Sequence, residues 1–293
     1  MTRVALVTHA GLPDLAEDDR PLRAALRARG VAADVTVWDD PAVEWAAYDL
    51  VLLRSPWDYS ARRDEFLAWA ETVPALANPP AVVRWNTDKR YLRDLDALGV
   101  PVVPTTWLQP GEPVTLPGEG RFVVKPAVSA GSADTGRYDA ADPAQAGLAR
   151  ELAARLLGEG RTVMVQPYQG AVDTAGETAL LFLGGAYSHA IRKGPILRGP
   201  YTGVPHRRDD ITARTASDAE RQLAGRVLAA AAELVPAAGN LLYARVDVVP
   251  GPAGDPVVME LELTEPSLFL AFGAGAADRL AEAVVRGLRA GVA

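Results

Sequence analysis

At 293 residues the chain is too long for one small core and suits two or three packed subdomains. Its composition, 49% hydrophobic and 23% charged, is that of folded protein rather than disorder, and the absence of cysteine excludes disulfides, thiolate metal sites and cysteine nucleophiles. A formal net charge of −7 disfavours nucleic acid as the main partner and points to small-molecule chemistry.

The N-terminus carries one positive charge and a short apolar run. Polar and acidic residues follow before a signal core or spanning helix could form, so the expectation is a cytoplasmic protein without membrane contact. Apolar runs at Val4 to Val7, Asp34 to Trp38 and Leu50 to Leu53 alternate with an amphipathic stretch, Arg20 to Arg29, closed by Gly30; this reads as a βαβ-type layer. The Pro-rich run from Val73 to Pro80 is expected to be non-helical and to hold a boundary, giving an N-terminal α/β domain over 1–84. Asn86-Thr87 caps a helix through Lys89, Leu92, Leu95 and Leu98, stopped by Gly99 and Pro101. A strand at Phe122 to Lys125, a helix from Asp142-Pro143 to about Leu157 and a strand at Val163 to Gln166 complete a central domain over 85–168.

Over 169–293, Glu177 to Leu183 and Ala186 to Lys193 form a hairpin about Gly184-Gly185. A long basic loop follows, from Gly194 to Ala213, then a helix from Ser217 to Leu234. Two apolar segments, Tyr243 to Val249 and Val257 to Glu262, read as a second hairpin, and Ala276 to Leu288 as a closing helix.

Common motifs are missing. No Gly-Lys dipeptide exists for a Walker-type loop, Thr8-His-Ala-Gly11-Leu-Pro lacks a Rossmann fingerprint, and neither H-E-x-x-H nor G-x-S-x-G occurs. The second hairpin is more informative. Glu260 and Glu262 lie two apart on a strand and share a face, and Asp247 joins them if the register sets it opposite either one. Such a face is either a solvated acidic edge or a hard-oxygen site for Mg²⁺. Lys125 stands at a strand end just before a small-residue loop holding Ser129, Gly131 and Ser132, an arrangement suited to phosphate. Gln166, Pro167 and Tyr168 lead out of an apolar strand and could present backbone groups to an adenine edge.

The order Lys89, Lys125, Gly/Ser loop, Gln166, Glu177, Arg245, Asp247, Glu260, Glu262 resembles that of the ATP-grasp superfamily, especially its glutathione synthetase and D-alanine–D-alanine ligase branch, over roughly residues 1–275. The resemblance implies an α/β ATP-grasp fold: a Rossmann-like N-terminal unit and two α+β subdomains clamping ATP. It implies further that Lys89 and Lys125 contact phosphate, with Lys125 also near the adenine, that Gln166 to Tyr168 form the hinge over the base, and that Glu177 binds the ribose or adenine side. Asp247, Glu260 and Glu262 would hold Mg²⁺, and Arg245 would face the transferred phosphoryl. Two positions depart from the branch: Glu262 stands where an asparagine is usual, and Thr264-Glu265-Pro266-Ser267 replaces the usual substrate-carboxylate motif, leaving Glu265 placed as a substrate contact.

The implied reaction passes through an acyl phosphate that an amine then attacks, with amino-acid-like substrates and ATP and Mg²⁺ as cofactors. Some relatives close a ring within one molecule, as in cycloserine formation; the same fold could also serve phosphotransfer to a hydroxyl or non-catalytic nucleotide binding. Arg54, Ser55 and Asp58, at the carboxyl end of an apolar strand, are expected substrate contacts, Arg54 for a carboxylate and Asp58 for an ammonium. In the basic loop Arg192, Lys193 and Arg207 could hold a substrate carboxylate or phosphates, and Lys193 is grouped with Arg245 as catalytic. A homodimer is left open.

Overall fold

A computed structural model of the chain describes residues 2–204 and 210–290. The first sheet contains β1 (Arg3–Thr8), β2 (Ala32–Val37), β3 (Leu50–Ser55) and β4 (Leu76–Ala77), all parallel in the order β2-β1-β3-β4. Its central strands are buried on both faces, as parallel strands between helices must be. Val4 and Leu6 share a core with α1 (Arg20–Ala28), whereas Ala5 and Val7 pack with Trp38 and with Phe66 and Leu67 of α2 (Arg63–Thr72).

The Pro-rich run departs from the expected non-helical linker. β4 adds to the sheet, and α3 (Pro80–Asn86) begins at Pro80, whose missing N–H costs nothing in a first turn. The single helix expected from residue 86 to 98 is also interrupted: α4 spans Tyr91–Ala97. Asn86 is committed elsewhere, its amide donating to Leu261 O (2.8 Å) and accepting from Leu263 N (2.6 Å), and the Lys89 amide donates to Ala127 O (2.9 Å). These long-range bonds outweigh the local helical pattern.

The second sheet is antiparallel, with β5 (Thr106–Leu108), β6 (Arg121–Pro126), β7 (Gly136–Asp139) and β8 (Val163–Pro167) in the order β5-β8-β6-β7. It is backed by α5 (Pro143–Gly158), capped by Asp142 accepting from the Ala144 and Gln145 amides. After the short α6 (Val172–Ala175) comes the largest sheet: β9 (Glu177–Leu183), β10 (Ala186–Lys193), β11 (Ile211–Arg214), α7 (Asp218–Leu234), β12 (Tyr243–Pro250), β13 (Pro256–Glu262) and α8 (Ala276–Ala290). The strands are antiparallel in the order β11-β10-β9-β12-β13. The expected basic loop therefore ends at β11, which pairs with β10. Alternation along β9 sends Leu180 and Phe182 toward α7, and Ala179, Leu181 and Leu183 toward α8. Among the described residues no helix is long and apolar enough to cross a membrane.

Buried polar side chains join the first sheet to the last. Asn78, with no exposed surface, donates to Tyr243 O (2.9 Å) and Leu263 O (2.7 Å) and accepts from Leu242 N (2.8 Å). The Tyr243 hydroxyl lies within 3.0 Å of the carbonyl oxygens of Leu53, Ala77 and Thr264. Asn78→Ala would strand one buried N–H and two carbonyls, so it should lower stability by about 3–5 kcal/mol, read as a shift in the urea midpoint; a change within about 0.5 kcal/mol would show the splint to be dispensable.

Candidate active site

A cavity of about 490 Å³ opens where the second sheet, the third sheet and the segment after β3 meet. Its floor is the β12–β13 hairpin, in which Asp247 pairs with Glu260 and Arg245 with Glu262, the register that the acidic face requires. Carboxylate oxygens of Asp247, Glu260 and Glu262 all lie within 4.8 Å of one another.

Each of these carboxylates already has an internal cation. Asp247, with no exposed surface, binds Lys193 Nζ (2.6 Å) and Arg245 Nε (2.9 Å). Glu260 meets Lys89 Nζ (3.1 Å), Glu262 meets Arg245, and Glu177 shares Lys193 (2.6 Å). Burial opposes ionisation of Glu260, but Lys89, Lys125, Lys193 and Arg245 outweigh it and hold the carboxyl well below the usual range. Asp247 is likewise lowered: burial is outweighed by Arg245 and Lys193. Glu262 is raised, because burial with the neighbouring charges of Glu260 and Asp247 exceeds the help from Arg245. Three hard oxygen donors without nitrogen or sulfur, gathered on one face, fit Mg²⁺.

The phosphate side is built by Lys89, Lys125 and the loop after β6. Lys89 Nζ donates to Ser129 O (3.0 Å), tying the loop's start to the floor. Ser129, Gly131 and Ser132 line the cavity, and the backbone turns left-handed at Gly131, Ser132 and Asp134 (φ 60°, 60° and 52°). Glycine relieves that strain at the first position. Asp134 anchors the far end to Arg155 (2.6 Å) and Arg161 (2.7 Å). Lys125 lines the cavity and forms no hydrogen bond or close ion pair among the described residues. Burial lowers its pKa, partly offset by Glu260.

Gln166, Pro167, Tyr168 and Glu177 also line the cavity. The Gln166 amide is spent on Thr105 Oγ1 (2.9 Å), and the Tyr168 ring lies beneath the guanidinium groups of Arg121 (5.0 Å) and Arg137 (4.9 Å). Apolar walls come from Val123, Val172, Ile196, Leu197 and Met259. None was singled out from the sequence, where each reads as an ordinary strand or loop residue.

The expected substrate contacts at the first sheet are corrected. Arg54 is fully buried, bonded to Asp19 (2.9 Å) and Pro266 O (2.8 Å), with the Tyr243 ring 5.0 Å away. Ser55 is buried against Thr8 (3.1 Å), and Asp58 accepts from Trp38 Nε1 (2.9 Å) and Arg62 (2.9 Å). None of the three lines the cavity; Trp57 and Tyr59, from the same segment, do. Lys193 is also corrected: it lies beneath the floor, 2% exposed, and its ammonium is spent on Glu177 and Asp247. Arg192 bonds Ala175 O (2.9 Å) and Asp210 (2.9 Å), and Arg207 lies outside the described residues.

Glu265 does line the cavity. The Trp57 indole donates to its carbonyl (3.2 Å), the Tyr59 hydroxyl lies beside its carboxyl, and burial, and next the charge of Glu262, push that carboxyl up to about 8.

Residues 4–81 match the model of the D-cycloserine synthetase DcsG N-terminal domain family. The cycloserine biosynthesis protein DcsG of Streptomyces lavendulae is 41% identical, the alignment covering 98% of this chain and 99% of the relative. The crystal structure of D-cycloserine synthetase DcsG superposes with a TM-score of 0.88 at 41% identity, covering 98% of this chain and 99% of that one. The fold extends to a RimK domain ATP-grasp protein from Sphaerobacter thermophilus (TM-score 0.67, 21% identity, covering 96% and 98%). It extends also to D-alanine–D-alanine ligase from Bacillus anthracis (TM-score 0.68, 15% identity, covering 99% of both chains). With 41% identity over 98% of its length and a shared fold, the chain belongs to the DcsG family of ATP-grasp ligases.

Proposed function

We propose that this ATP-dependent carboxylate–amine ligase uses Mg²⁺ and closes a ring within one amino-acid-like substrate, yielding a product of the cycloserine type. The observation that carries the reading is the meeting, in one cavity, of Glu260 and Glu262 with Asp247 directly beneath them, two lysines and a left-handed small-residue loop. The full-length likeness to a protein named for cycloserine biosynthesis supports the ring. Cycloserine joins its carboxyl carbon to the nitrogen of its own aminooxy group. Ring closure therefore needs an activated carboxyl and no second molecule.

The substrate carboxylate attacks the γ-phosphorus of ATP, breaking its bond to the bridging oxygen and releasing ADP. The amine nitrogen then attacks the acyl carbon, phosphate leaves with the electron pair of the bond from that carbon to the phosphate-bearing oxygen, and the nitrogen gives up one proton to the departing phosphate. Neither step needs a protein nucleophile, so the work is positioning and charge stabilisation. Lys89, Lys125 and Arg245 supply positive charge along the cavity, while the loop from Ser129 to Ser132 offers backbone N–H groups and a cover against water. Asp247, Glu260 and Glu262 would hold Mg²⁺, which supplies charge neutralisation at phosphate oxygens when bound.

Incubation with Mg-ATP and β-aminooxy-D-alanine should release ADP and phosphate in step with a product lighter by one water, read by mass spectrometry. ADP release with a phosphorylated or intermolecular product would redirect the reading. Glu260→Gln should raise the Mg²⁺ concentration for half-maximal rate by about 10–100-fold; near-wild-type turnover at limiting Mg²⁺ would remove it from the metal site. Lys125→Met should weaken ATP binding by about tenfold or more in equilibrium titration, and unchanged affinity would take the lysine out of the nucleotide site.

A further inference from the structure

The cavity and the ground beneath it hold five carboxylates, those of Glu177, Asp247, Glu260, Glu262 and Glu265, against four cations, Lys89, Lys125, Lys193 and Arg245. Four of the carboxylates are paired with internal cations: Glu177 and Asp247 with Lys193, Glu260 with Lys89, and Glu262 with Arg245. Glu265 has no ion pair among the described residues. It also stands outside the group whose oxygens converge for a metal.

We propose that Glu265 receives the α-ammonium group of the substrate and thereby restricts the enzyme to amino-acid carboxylates. The assignment rests on the ligase reading above and adds the residue that selects the substrate. A partly buried carboxylate without a counter-ion is costly, and a cation brought by the ligand removes that cost.

The surroundings fit an ammonium better than a second anion or an apolar group. Two side chains of the N-terminal segments hold the Glu265 backbone in place, Trp57 Nε1 on its own carbonyl (3.2 Å) and Arg54 Nη2 on the next carbonyl, Pro266 O (2.8 Å), and the Tyr59 hydroxyl lies beside its carboxyl. One hydroxyl satisfies only part of a carboxylate, which accepts several bonds. Trp57 and Tyr59 line the cavity beside it, and aromatic faces favour a neighbouring cation. Arg245 lines the same cavity, but its guanidinium is committed to Asp247, Glu262 and Ser267 O (3.1 Å), so it offers no competing partner to Glu265.

The test compares β-aminooxy-D-alanine with 3-aminooxypropanoic acid, which lacks only the α-amino group, on protein loaded with Mg²⁺ and a non-hydrolysable ATP analogue. Wild type should bind the amino acid on the order of 30-fold more tightly. E265Q should lose that preference while keeping its affinity for 3-aminooxypropanoic acid and for the nucleotide, which also reports that it is folded; E265D should retain part of the preference. Retention of the full preference by E265Q, or equal loss for both acids, overturns the assignment and leaves the ligase reading standing if wild type turns over. Wild type that releases no ADP with either acid overturns the substrate reading and this assignment with it.

Discussion

Everything in the site hangs on one fully buried carboxylate. Asp247 sits on β12, between β9 and the edge strand β13 of the largest sheet, held by Lys193 of β10 and Arg245 of its own strand, and Lys193 reaches on to Glu177 of β9. The cluster links three adjacent strands beneath the cavity through charges that water does not screen. An uncompensated charge there would cost several kcal/mol, so each member fixes the rotamer of the next. Arg245, thus oriented, presents its guanidinium to Glu262 and to Ser267, and the floor acquires its shape from below rather than from ligands above.

The hairpin itself was readable because it obeys local rules. A two-residue period placed Glu260 with Glu262, but the pairing of Asp247 with Glu260 depends on a bulge: Val248 faces Val258, and the register shifts by one residue before Asp247. The lysine before a Gly/Ser loop was legible only as a candidate, since the same composition also suits a flexible surface loop. Arg54 misled for a physical reason: an arginine at the carboxyl end of a parallel strand is usually near a ligand, yet here Asp19 and Pro266, far away in sequence, enclose it. Lys193 misled similarly, since nothing local shows that Glu177 and Asp247 converge on it.

The break between α3 and α4 shows the same limit. Leucines at 92, 95 and 98 suggest one helix from residue 86, but the Asn86 side chain closes hydrogen bonds on β13 and the Lys89 amide on Ala127. Those bonds span well over a hundred residues in the first case and decide where the helix stops. The apolar walls around Tyr168 were invisible for the opposite reason, being chemically indistinct until the fold gathers Val172, Ile196 and Met259.

The packing of α8 on α1 bears on how the chain is made. Leu22, Ala25 and Leu26 of the first helix share a core with Leu280, Ala281 and Val284 of the last, and Arg29 reaches Asp278 (2.8 Å) and Glu282 (3.2 Å). During synthesis the first sheet emerges with that helix face uncovered, because the helix that covers it lies 249 residues further on, counted from Arg29 to Asp278. Completing the N-terminal unit is therefore a closure of sequence-distant segments, the slow kind.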